Sequence, residues 1–211
     1  MAPLLSLAVL VGCGSVTSIG ELPPAAEPAH SPPLAQRPAG RITSVGNAPV
    51  ATQPGGVAAV NGGRAVAVVS MRERVLEVYD SDTLERIGRA PAGVGPTHVA
   101  AGRGSLIYVV DTTGDGLLVF DLRPRLHLTR RLPILGSPYG IASDPVNRRL
   151  WVTTTESNQL VELADGARPH RLRGFPAVRQ PDTVAVDPVR HRVYVTGRAD
   201  DVVQILDAPD R

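Results

Sequence analysis

The chain has 211 residues, 43% hydrophobic and 3% aromatic, with 22 basic residues against 20 acidic ones and a formal net charge of +2. That length leaves room for one compact domain. The near-balance of charge and the scarcity of aromatic rings exclude a protein built to neutralise phosphates and stack bases, so no nucleic-acid partner is expected.

The chain opens on an apolar run from Leu4 to Val11 and then reads Leu10-Val11-Gly12-Cys13. This looks like a bacterial lipobox, in which small residues before the cysteine permit cleavage and the thiol is lipidated. Cys13 is the only cysteine. No disulfide can therefore form within the chain, and a lone thiol on an exported protein is better explained by modification. A positive region ahead of the apolar run is missing, so the true start is expected upstream of Met1. The bland alternative is an incidental Cys. Residues 14–40 turn to Pro, Ala, Ser and Glu, too polar to pack, and read as a disordered tether. Residues 41–211 then form the folded domain, and the whole describes an exported protein held on the extracytoplasmic side of a membrane through Cys13.

Within that domain one phrase recurs at Pro54, Pro96, Pro138 and Pro181, at the roughly 42-residue period of a β-propeller blade. Each proline precedes a first strand, expected at 57–60, 99–101, 141–143 and 184–186. Tight turns follow, two of them spelled alike as Asp144-Pro145-Val146-Asn147 and Asp187-Pro188-Val189-Arg190, where proline's fixed φ suits a turn. Second strands rich in β-branched and aromatic residues are expected at 65–69, 106–110, 150–154 and 192–196, and third strands at 75–79, 117–121, 160–163 and 202–206. Weaker outer strands complete three units near 85–90, 127–132 and 168–175.

The fourth unit shows no outer strand after its third. Residues 41–50 align with the outer-strand positions of the other units, so the expected fold is an all-β propeller of about four four-stranded blades, closed by this N-terminal strand pairing with the last blade. Closure would remove the open sheet edges. Two rivals stand beside it: a shortened member of a family with a larger ring, or two chains joined as a homodimer into a bigger one.

The strings Leu106-Ile107-Tyr108-Val109-Val110-Asp111, Leu150-Trp151-Val152-Thr153-Thr154 and Val193-Tyr194-Val195-Thr196-Gly197 resemble the second-strand signature of the YVTN repeat family, whose YncE-like bacterial members and archaeal surface-layer relatives are seven-bladed propellers. The resemblance runs from about Arg41 to the C-terminus and implies the fold. It implies no shared reaction, because that family is defined by its blades. The chain departs from the pattern in blade number and in its first unit, where Ala65-Val66-Ala67-Val68-Val69 has no aromatic residue.

Links between blades and turns between second and third strands share one end of a propeller. On that rule His98, Tyr139 and Asp182 occupy equivalent positions at the channel mouth, with Thr97 and Thr183 beside them, and these five are the candidate ligand-binding residues. Glu73, Asp111, Asp115, Glu156, Asp200 and Asp201 are expected to make that rim acidic. The opposite end is expected to be basic through Arg64, Arg103, Arg123, Arg125, Arg148, Arg149, Arg190 and Arg192, a field suited to anionic lipid or wall polymer. Trp151, Tyr108 and Tyr194 hold matching strand positions and are expected to fill space between blades.

No catalytic residues are assigned. Asp111-Thr112-Thr113-Gly114-Asp115-Gly116 superficially resembles a calcium loop, but Leu122 stands where the twelfth-position Glu belongs, so no metal site is read and no cofactor is expected. The function that fits is a binding or scaffold module for a protein or envelope ligand. The alternatives are a lactonase-like or lyase-like enzyme at the channel mouth, and a truncated propeller without activity of its own.

Overall fold

The structure, a computed structural model, describes residues 46–208. The lipobox with Cys13, the tether and residues 41–45 lie outside them.

Among the described residues fifteen strands build four antiparallel sheets in chain order. The first is β1 (Pro54–Val60), β2 (Ala65–Ser70), β3 (Val75–Asp80) and β4 (Arg86–Pro91). The second is β5 (Pro96–Ala101), β6 (Leu106–Asp111), β7 (Gly116–Asp121) and β8 (His127–Pro133). The third is β9 (Pro138–Asp144), β10 (Arg149–Thr154), β11 (Gln159–Ala164) and β12 (Arg171–Pro176). The last is β13 (Pro181–Asp187), β14 (Arg192–Gly197) and β15 (Asp200–Asp207), three-stranded among the described residues. The expected all-β, four-bladed propeller is what forms. Each blade opens on its proline, at a strand's first residue where the missing N–H costs least.

Both faces of the middle sheets are dry, and this is why their strands read as nearly continuous apolar runs. Between the first two blades, Ala67, Val69, Leu76 and Val78 meet Ile107, Val109, Leu118 and Phe120. Tyr108, Val110, Leu117 and Val119 continue the core against Leu150, Val152, Val161 and Leu163. Trp151 and Leu160 then meet Val193 and Val195 of the last blade. Burial of each such side chain contributes about 1.5–3 kcal/mol relative to leaving it in water.

The inner strands follow one another β1, β5, β9, β13, each packed on the next, but β13 and β1 do not pack in this way. The expected zipping of 41–50 onto the last blade is not made by residues 46–50. They carry no strand, and β15 pairs only with β14. Their neighbourhood is the first blade instead. The Tyr79 hydroxyl donates to the Pro49 carbonyl at 2.8 Å, the Ala51 N–H to Glu77 Oε2 at 2.8 Å, and the Thr52 N–H to Glu73 Oε1 at 2.8 Å. The reason is geometric. A ladder needs edges about 4.8 Å apart, and the sheets of this arc do not bring β15 round to blade 1.

Glu77 is the polar centre of that contact. It stands in the column occupied by Leu118 in the second blade, buried, with Arg86 at 2.8 Å and Arg89 at 3.3 Å. Burial pushes its carboxyl up, but the Ala51 N–H, the Tyr79 hydroxyl and Arg86 together outweigh that and hold it below the usual carboxylate range. Burial and the adjacent Glu77 push the Tyr79 phenol up to about 12.

Candidate functional site

All four inner strands carry an extra residue near their start, between Pro54 and Gly56, Pro96 and His98, Pro138 and Ile141, and Pro181 and Thr183. Such bulges re-aim side chains. The ladder then places His98 opposite Val110, Thr183 opposite Thr196 and Gly56 opposite Val69. His98 is therefore the counterpart of Gly56 and Thr183, whereas Thr97 is the counterpart of Tyr139 and Asp182. The expected equivalence of His98 with Tyr139 and Asp182 is off by one residue, because His98 is the second residue after its opening proline and the other two are the first.

The three side chains nevertheless converge. The His98 and Tyr139 rings meet edge to face, centroids 4.9 Å apart and planes at 60°. Arg198 joins them from the turn after β14, its Nη2 donating to the Tyr139 hydroxyl at 2.9 Å and its Nε to Asp182 Oδ2 at 3.1 Å. The guanidinium carbon also lies 5.1 Å from the Tyr139 ring centre, a cation–π distance. The cluster thus spans three successive blades. Gly140 is what allows the approach, since a Cβ there would collide with the Asp182 carbonyl oxygen.

The two threonines play smaller parts. Thr97 is buried, and its hydroxyl is shared with Thr112 Oγ1 at 2.7 Å. Thr112 in turn donates to the Pro138 carbonyl at 2.6 Å, and Thr155 does the same to Pro181 at 2.8 Å. These stitches tie each blade to the next. Thr183 is exposed and bonded to Thr196 beside Asp182.

Sequence reasoning missed Arg198. It holds the position of Thr112 and Thr155 in its own blade, since the N–H groups of all three reach back to the residue before the blade's opening proline. With no described blade to follow, its longer side chain folds back onto Asp182 and Tyr139. Aligning the turns after each second strand would have singled it out.

His98 Nδ1 is buried without a hydrogen-bond partner. Burial lowers the imidazole below its ordinary value, the Tyr139 backbone and the Asp182 carboxylate partly oppose this, and Arg198 lowers it further. A depressed folded-state value means that the unfolded chain takes up a proton first as pH falls. The stability tied to His98 is therefore complete above the ordinary histidine value of about 6.5 and is lost as pH falls below it. Melting temperature is expected to decline from pH 7 to 5, with a shallower decline in His98→Gln.

The expected division of charge between the two ends is not found. Glu73 pairs with Arg89, Asp111 with Arg131, Asp182 with Arg198 and Asp200 with Arg179. The rim is a set of ion pairs, not an acidic field. At the other end Asp187 pairs with Arg190, and Arg149 is buried against Glu162 at 3.2 Å. Signs mix at both ends because carboxylates of the rim and of the opposite turns pair with neighbouring guanidinium groups.

No protein-family model matches the sequence, and no curated protein matches it. Solved structures do. A functionally unknown protein from Desulfotomaculum acetoxidans superposes with a TM-score of 0.66 at 16% identity, over 73% of this chain and 51% of that one. A protein from Lactobacillus plantarum gives 0.66 at 14%, over 77% and 54%. The Cps50 (Swd1) β-propeller domain of Myceliophteria thermophila gives 0.62 at 13%, over 74% and 54%. The likeness is one of propeller fold. This chain spans about half the length of each of those structures.

Proposed function

We propose that this propeller is a binding module, exported and held to a membrane through Cys13, that takes a neutral polar segment of a protein or envelope ligand against His98, Tyr139, Asp182 and Arg198. The observation that carries the reading is the convergence of these four side chains from three blades. An acceptor, a donor fork and two ring surfaces lie together with no net charge while His98 is neutral, a combination suited to amide or hydroxyl groups rather than to a strong anion or cation. Rigid blades hold such a cluster in fixed geometry. The lactonase-like alternative needs several carboxylate and amide ligands around one ion. Among the described residues no three His, Cys, Asp or Glu side chains come together to hold a metal, so no metal-dependent step is derived.

The test is capture from envelope extracts by the immobilised full chain, in parallel with Arg198→Ala and Tyr139→Ala. A component retained by the wild type and bound about tenfold more weakly by each variant, the worth of one good hydrogen bond of about 1.4 kcal/mol, is the expected result. Equal retention by all three proteins would remove the site from consideration.

A further inference from the structure

Every outer strand of this protein ends on a proline five residues ahead of the next blade's opening proline: Pro91 before Pro96, Pro133 before Pro138, Pro176 before Pro181. Pro49 stands five residues before Pro54 in the same way. Its place in space agrees. In the second blade Phe120 lies in the same buried cluster as Ala90 of the preceding outer strand. In the first blade Tyr79, which matches Phe120 by register, reaches the Pro49 carbonyl. The segment ending at Pro49 thus sits on blade 1 where the outer strand of a preceding blade belongs, without the sheet to which such a strand would pair.

The last blade is the reverse case. It has a sheet but no outer strand among the described residues, and beside β15 lies an open groove of about 340 Å³ lined by Trp151, Phe175 and residues 204–208. Its far face keeps the residue types that pack in the other blades. Ala100, Tyr108 and Val119 form one cross-strand column in blade 2, with Tyr108 and Val119 buried against blade 3. The matching column in blade 4 is Ala185, Tyr194 and Ile205, yet Ile205 is 58% exposed and Val203 beside it 55%. At the other end of the arc Val57, on the face that would receive a blade, is 68% exposed. Each end lacks what the other offers, and the described residues do not join them to each other.

We propose that a second copy of this chain supplies the missing neighbour, two four-bladed arcs closing into one eight-bladed ring in which the segment ending at Pro49 of each copy pairs with β15 of the other. Both junctions are then equivalent under a two-fold axis and the assembly is closed, leaving no strand edge to propagate. By the register of the other blades, where Leu76 opposes Ala90 and Leu160 opposes Phe175, Ala48 of one copy comes to oppose Val203 of the other.

Light scattering on the full chain is expected to give twice the 22.2 kDa of one copy. Val203→Arg, at a position exposed in the single chain, is expected to give the mass of one copy with an unchanged circular-dichroism spectrum. Ala48→Cys with Val203→Cys, in a Cys13→Ser background, is expected to form a disulfide between chains on oxidation. A single-copy or larger mass for the wild type, a dimer that survives Val203→Arg, a disulfide within one chain, or none at all would each overturn the proposal. Capture at the Tyr139 and Arg198 site is a separate readout, so failure of either reading leaves the other distinguishable.

Discussion

Asp111→Ala is expected to be among the most destabilising single substitutions in the molecule, by about 3–5 kcal/mol. Asp111 has no solvent exposure. Its carboxylate accepts backbone N–H groups from Val94 at 3.0 Å, Gly95 at 2.8 Å and Gly114 at 3.1 Å, and receives Arg131 Nη2 at 3.1 Å. One side chain thus satisfies the link entering blade 2 and the turn between β6 and β7. Alanine would strand three amide donors near a packed core, each at a cost of about 1–3 kcal/mol, moderated by whatever water the turn admits. Asn keeps one acceptor oxygen and should lie between the two. Denaturant melts with an unchanged m-value would show that the loss is one of stability rather than of residual structure. The same bonds order the Asp111 loop as a turn, its carboxylate accepting amide donors from both sides.

Trp151→Ala is expected to cost a similar amount, about 3–5 kcal/mol, but in a different manner. Trp151 is 2% exposed, its ring 6.1 Å from that of Phe175, and it packs on Val193 and Val195. Among the described residues blade 4 packs on this one neighbouring blade, so its hold on the arc depends on that contact. Nearest-neighbour coupling in repeat folds then predicts that blade 4 melts ahead of the rest, seen as early loss of amide protection in β13–β15 with β5–β8 still protected. The indole N–H is buried without a partner. Trp151→Phe therefore removes an unsatisfied donor as it removes volume, and should retain most of the stability that Ala loses.

The blades could be read from the chain because their signals are local. Proline at each strand start, Gly or Asp-Pro at the turns and β-branched runs between them act within a few residues. The 42-residue phase was also enough to bring His98, Tyr139 and Asp182 to one place. It did not reveal that the inner strands bulge, because an extra residue leaves no compositional mark, and His98 stands one residue further from its proline than the other two do. Arg198 escaped because a turn arginine looks like any solvated one until the next blade is missing. Tyr194 looked like Tyr108 and Trp151, yet it is only half-buried, since burial here is conferred by the following blade and not by the residue.

Fold class, blade count and strand phase were thus determined by the residues themselves, through propensities and turn chemistry that act at short range. Whether the arc closes, which carboxylates are buried, and how charge is distributed over its ends were decided only by the tertiary structure. These depend on the relative placement of whole sheets. An outer strand and the edge that could receive it are separated here by three blades, and no local preference of either one measures the gap between them.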